Sequence, residues 1–208
     1  AETPFFSQSV SEFVLDKSGS TYTIYPDIIW KYEALRNNNQ AGPVSVAIKV
    51  EINGANWGQQ VRTFSVRSLN ECLLGYMSGG RVFCETGIFF AAYVNEENPK
   101  IDKLLREALN TRIVNRFSGY QSAQNPVDRQ VYALWNILQK RQFRYSSVAN
   151  SSLSSNVVLS QRVRTFDDAL ESSQINCVDG SVLFASLLRA INIEPILVRM
   201  PGHMFVGY

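Results

Sequence analysis

Cys177 and His203 are the residues of this chain best suited to nucleophilic chemistry. A thiolate is a strong nucleophile, and an imidazole beside it can take the thiol proton and hold the anion as an imidazolium. Cys177 stands where an apolar helix is expected to begin. The free N–H groups and dipole of a helix N-terminus favour an anion, so a thiol there ionises more easily. His203 is the only histidine. It comes one helix and one strand later, at the start of a second strand. A helix and a strand that pack side by side would bring the two together. The plainer reading makes Cys177 a small core residue of an apolar segment.

The elements that must position this pair are legible from periodicity. Val178, Val182, Leu183, Ala185, Leu187, Leu188 and Ile191 leave almost no polar face, and a helix apolar nearly all round is a buried one. It ends near Asn192, because Pro195 forbids its continuation. Residues 196–200 form a short apolar run that reads as a strand covered on both faces. Pro201 and Gly202 mark a turn, and His203 opens the second strand.

Residues 176–189, Asn-Cys-Val-Asp-Gly-Ser-Val-Leu-Phe-Ala-Ser-Leu-Leu-Arg, followed by Pro-Gly-His-Met-Phe-Val-Gly at 201–207, resemble the transglutaminase-like superfamily. That group has a papain-like core with Cys on a helix N-terminus and His on a following strand. The resemblance spans residues 165–208, extends loosely back to the helix near Val127, and leaves the first two thirds of the chain without a family. It implies Cys177 as nucleophile, His203 as general base, a peptide or protein substrate, and no cofactor or metal. The thiolate would attack a carboxamide or peptide carbonyl to give a thioester, and His203 would protonate the leaving amine. Water as acceptor would make a hydrolase and an amine an acyltransferase; the resemblance does not choose. The Cys177 N–H is a natural oxyanion donor, with Gln161, Gln174 and Asn176 as candidates for a side-chain donor upstream. The family's third member, an Asp or Asn on the next strand, has no counterpart between His203 and Tyr208. The sequence therefore either belongs to a longer chain or carries an incomplete site. Asp179, in the first turn of the helix, complements its dipole and is a poor substitute.

With 208 residues, 45% hydrophobic and 18% charged, the composition is that of a globular chain able to bury a core. With a net charge of +2 and Lys and Arg spread along the chain, nothing argues for nucleic acid or an anionic membrane as partner, and no nucleic acid is expected. No apolar run approaches the roughly 20 residues that span a bilayer. Oligomeric state is not legible. Cys72 and Cys84 flank a Gly-containing segment and could close a hairpin disulfide, leaving Cys177 free, which would suit a secreted or extracytoplasmic setting. The alternative is two reduced cysteines. With one histidine and no Cys-x-x-Cys, no structural zinc site is expected.

The fold class read from the chain is α+β: an N-terminal antiparallel β-sandwich-like domain over 1–118, then a transglutaminase-like α+β core over 119–208. Residues 44–52 alternate strictly and form the clearest strand. Residues 22–29 and 61–69 add strands, 74–87 read as loop, and 88–94 as a buried strand. Helices are expected over 99–117 and 126–141, with the polar stretch 119–125 as the domain boundary. Thr165 caps a short helix, 166–170. Residues 146–160 read as a surface loop, or as a flap over the cleft near Cys177. Asn150, Ser151 and Ser152 fit the N-glycosylation pattern. Two rival readings accompany the enzyme. One is a non-catalytic protein- or glycan-binding module with a degenerate transglutaminase-like site. The other is a redox thiol at Cys177, for which no resolving cysteine lies near in sequence.

Overall fold

The computed structural model describes residues 3–124, 126–147 and 155–208. It mixes helix and strand in an α+β organisation. The chain divides into two compact units, Ala1–Leu69 and Asn70–Tyr208.

The first unit holds α1 (Tyr32–Arg36), β1 (Gly42–Ile52) and β2 (Ala55–Val66). Asn53 and Gly54 take φ of 51° and 78°. Positive φ at both central residues suits a two-residue hairpin turn, since its twist matches that of the strands. The ladder runs antiparallel from Gly42 opposite Val66 to Ile52 opposite Ala55. The expected alternation is present, with Val44 buried, yet Ile48, Val50 and Phe64 on the same face are exposed. Residues 22–29 form no strand: the pairing there is one bridge, Phe6 to Trp30. Pro26, which lacks an N–H, cannot donate to a ladder.

The second unit contains β3 (Glu71–Ser78), β4 (Val82–Glu85), a 3-10 helix (Gly87–Tyr93), α2 (Ile101–Asn110), α3 (Val127–Lys140), β5 (Arg144–Tyr145), β6 (Val158–Arg162), α4 (Phe166–Ser172), β7 (Gln174–Ile175), α5 (Cys177–Ala190), β8 (Ile196–Met200) and β9 (His203–Gly207). Three expectations change. The Gly-containing stretch 74–87 is largely strand, a β3–β4 hairpin. In the expected strand 88–94, residues 88–93 wind into 3-10 helix, because a short apolar run carries no periodicity to separate the two. The division between units falls at Leu69, not in the polar stretch 119–125. β3 pairs with β6 across some ninety residues of sequence, Cys72 opposite Gln161, and α2 shares a core with α3 and α5. Such long-range pairing leaves no local change of composition.

Two apolar clusters flank α5. Leu183, Phe184, Leu187 and Leu188 face the larger one, with Leu104 of α2 and Leu134 and Ile137 of α3. Val178 and Val182 face the smaller one, with Cys72, Phe90, Val163 and Met204. The helix is thus buried on both sides, as its apolar pattern requires. Residues 148–154, within the expected flap and containing the glycosylation pattern, lie outside the described residues. Residues 158–160, expected as surface loop or flap, belong to strand β6.

Candidate active site at the start of helix α5

Asn176 and Asp179 set where α5 begins. The Asn176 Oδ1 accepts a hydrogen bond from the Asp179 N–H at 2.9 Å, and the Asp179 Oδ2 accepts one from the Asn176 N–H at 3.1 Å. This reciprocal capping box satisfies two backbone donors at once and fixes the first helical position. That position is Cys177. The thiol is half-buried, packed against the smaller apolar cluster. Its N–H lies in the first turn, where no carbonyl four residues back can take it.

Asp179 does more than complement the dipole. It is 1% exposed, a costly place for a carboxylate unless paired. Arg164 supplies the pairing: Nη1 donates to Oδ2 at 2.7 Å, and the Arg164 N–H donates to Oδ1 at 2.8 Å. With the Asn176 N–H, the carboxylate accepts three hydrogen bonds. Arg164 was not a site candidate from the sequence. It stands just before Thr165, whose Oγ1 caps α4 by accepting from the Asp168 N–H. The Arg–Thr–Phe–Asp run was a signal for the cap only.

The oxyanion candidates separate. Asn176 is 4% exposed and spends Oδ1 on the cap, while Nδ2 has no accessible surface and no partner among the described residues. An atom sealed from solvent cannot meet a substrate carbonyl in this state, so Asn176 positions the helix. Gln174 lies on β7, exposed, opposite Arg144. Gln161 lies on β6 opposite Cys72, half-buried.

His203 opens β9 opposite Met200. Met204 is buried against Val178 and Val182. Side chains alternate across a strand, so His203 shares a face with Phe205, opposite to that of Met204, and both are exposed. No hydrogen bond joins His203 to Cys177 among the described residues. The fold brings β9 against α5, as expected, but turns the imidazole to the outer face of the hairpin.

Cys72 and Cys84 are free thiols. Cys84 pairs with Tyr76, four positions along β3 from Cys72, about 13 Å in an extended strand. That exceeds the roughly 7 Å a disulfide can bridge. Cys72 is 2% exposed, and burial pushes its thiol up to about 11. Burial likewise raises the Tyr93 phenol in the same cluster, with the neighbouring Cys72 and then Glu71 adding to it.

Among the described residues, no group of three or more His, Cys, Asp or Glu is placed to hold a metal, and no helix is long and apolar enough to cross a membrane. No family model matches the chain, and neither does any curated protein or solved structure.

Proposed function

We propose that the second unit is a transglutaminase-like cysteine enzyme with a papain-like core, acting on peptide or amide bonds through a thioester on Cys177. The observation that carries this reading is the start of α5: a capping box and the Arg164–Asp179 pair hold a half-buried cysteine at the first position of a buried helix. The β8–β9 hairpin, with the only histidine, packs against that helix. In this scheme the thiolate attacks the carbonyl, the Cys177 N–H stabilises the oxyanion, and His203 moves the proton after turning toward the thiol. A β-sandwich in the first unit belongs to the same reading; it needs a second sheet over the β1–β2 ladder.

One observation favours a second reading, a non-catalytic protein- or glycan-binding module. His203 shares the outer face of the hairpin with exposed Ile196, Met200 and Phe205, an arrangement suited to contact more than to catalysis.

The test is the pH dependence of alkylation by iodoacetamide, in a Cys84→Ser background with and without His203→Ala, read by peptide mass spectrometry. Buried Cys72 is left in place. The enzyme reading expects rapid Cys177 labelling well below about pH 8.5, the ordinary thiol value, slowed by His203→Ala. Labelling that ignores His203 would sink it and leave the binding module.

A further inference from the structure

The first unit leaves apolar surface uncovered in two places. The first is the β1–β2 ladder. Val44 stands opposite Phe64, Val46 opposite Arg62 and Ile48 opposite Gln60, so the six share one face. Ile48 and Phe64 on that face are exposed. The other face settles its own polar groups, Ser45 with Thr63 at 3.0 Å and Lys49 with Glu51 at 2.6 Å. Arg62, set among the apolar side chains, has no partner among the described residues. A two-stranded ladder has little stability of its own in water, and an open apolar face invites a cover.

The second lies in the chain before α1, which doubles back on itself. The Lys31 N–H donates to the Phe5 carbonyl at 2.8 Å and the Ser7 N–H to the Ile29 carbonyl at 3.0 Å. Between these bonds Phe6 and Trp30 pack edge to face, ring centroids 5.6 Å apart, with Phe6 buried. Side chains alternate along an extended leg, so Ile29, Asp27 and Tyr25 share the side away from Trp30. Tyr25 is 86% exposed and Ile29 70%. The Asp27 carboxylate between them has no partner among the described residues. Ser9, whose hydroxyl donates to the Asp27 carbonyl, adds little bulk beside them. One surface thus sets a cation among apolar side chains, and the other an anion. Both belong to one compact unit, yet neither covers the other, since both are exposed.

We propose that the first unit is a dimerisation module, in which residues 25–29 of one copy lie over the β1–β2 face of a second copy and Asp27 meets Arg62. The contact is made twice, about a twofold axis. The occupant is a second copy because the unpaired cation and the unpaired anion come in equal number on one chain, and a reciprocal contact answers both. A guanidinium presents its N–H donors in a fork that suits a carboxylate. Tyr25 and Ile29 then cover Ile48 and Phe64 and remove apolar surface from water. The proposal rests on the first unit alone and holds whether or not Cys177 reacts.

Size-exclusion chromatography with light scattering, on the full chain across the micromolar range, tests this together with two charge reversals. The unaltered chain is expected to run as a dimer. Arg62→Glu and Asp27→Lys should each weaken dimerisation by about tenfold or more, because each sets like charges face to face. An equimolar mixture of the two variants should recover the dimer, since in the mixed pair both contacts again join opposite charges. An unaltered chain that stays monomeric overturns the proposal and leaves the open face to another protein. Variants that dimerise as well as the unaltered chain overturn it too, as does a mixture of variants, native by circular dichroism, that fails to recover the dimer. Tyr25→Ser keeps the test open where a charge variant misfolds: it should also weaken the dimer, and unchanged dimerisation would contradict the proposal.

Discussion

Arg164 and Asp179 form an ion pair at 2.7 Å whose carboxylate is sealed from solvent while the arginine side chain keeps a little exposure. Between them they join the N-terminus of α4 to that of α5. Removing the arginine leaves a buried carboxylate uncompensated, which costs far more than the pair itself contributes. Arg164→Ala is therefore expected to destabilise the second unit by about 3–5 kcal/mol in urea unfolding. Arg164→Ala with Asp179→Asn should recover part of that loss. Additive losses in the double variant would show that the charge pairing is not what matters.

The Asn176 cap can be tested apart from any chemistry. Asn176→Ala removes the acceptor of the Asp179 N–H and should cost about 1 kcal/mol. Asn176→Ser keeps an oxygen in reach and should cost less. Its rate of Cys177 alkylation should match that of the unaltered chain, because Nδ2 is sealed from solvent. An Asn176→Ser variant as unstable as Asn176→Ala would contradict the capping role.

Cys72 gives a pH dependence with a defined sign. Its folded-state thiol, at about 11, titrates above the unfolded value of about 8.5. The unfolded chain then binds fewer protons than the folded one across that window, so stability falls as pH rises. The contribution is fully present below about pH 8.5 and is lost by the time pH passes 11. Unfolding free energies measured from pH 7 to 11 should decline less steeply in Cys72→Ala than in the unaltered chain. Parallel declines would assign the effect to other groups, Tyr93 first.

All three cysteines are free thiols, and the strand register keeps Cys72 and Cys84 apart. Thiol titration with Ellman's reagent, after unfolding without reductant, should count all three cysteines. A count of one would restore the disulfide and require β3 and β4 to shift by four residues.

Gly119 carries both a left-handed φ of 53° and a close approach, since a Cβ there would lie 2.8 Å from the Asn192 carbonyl oxygen. The Gln130 side chain clamps the same residue, accepting from its N–H at 3.1 Å and donating to its carbonyl at 2.8 Å. Gly119→Ala has neither the conformation nor the space, and a loss above about 1 kcal/mol is expected in urea unfolding. A neutral effect would mean that the loop relaxes away from α5.

The sequence by itself determined the elements whose signals are local. Helix α5 was legible because an all-round apolar pattern and Pro195 bound it, and α3 because its stripe begins beside Pro126. The turn at Pro201 and Gly202 and the strand after it followed from the same punctuation. Placing Cys177 at a helix start needed only these.

The tertiary structure decided everything that depends on which distant residues meet. The pairing of β3 with β6, and with it the limits of the second unit, rests on backbone groups that are alike at every residue. The Arg164–Asp179 pair joins two helix starts that nothing in sequence spacing connects. The face of His203 was undetermined for a sharper reason. Met204, Phe205 and Val206 are all apolar, so alternation in β9 has no phase to read. A shift of one residue exchanges the two faces of a strand. Only the packing of Met204 against Val178 and Val182 sets that phase, and it carries the imidazole outward.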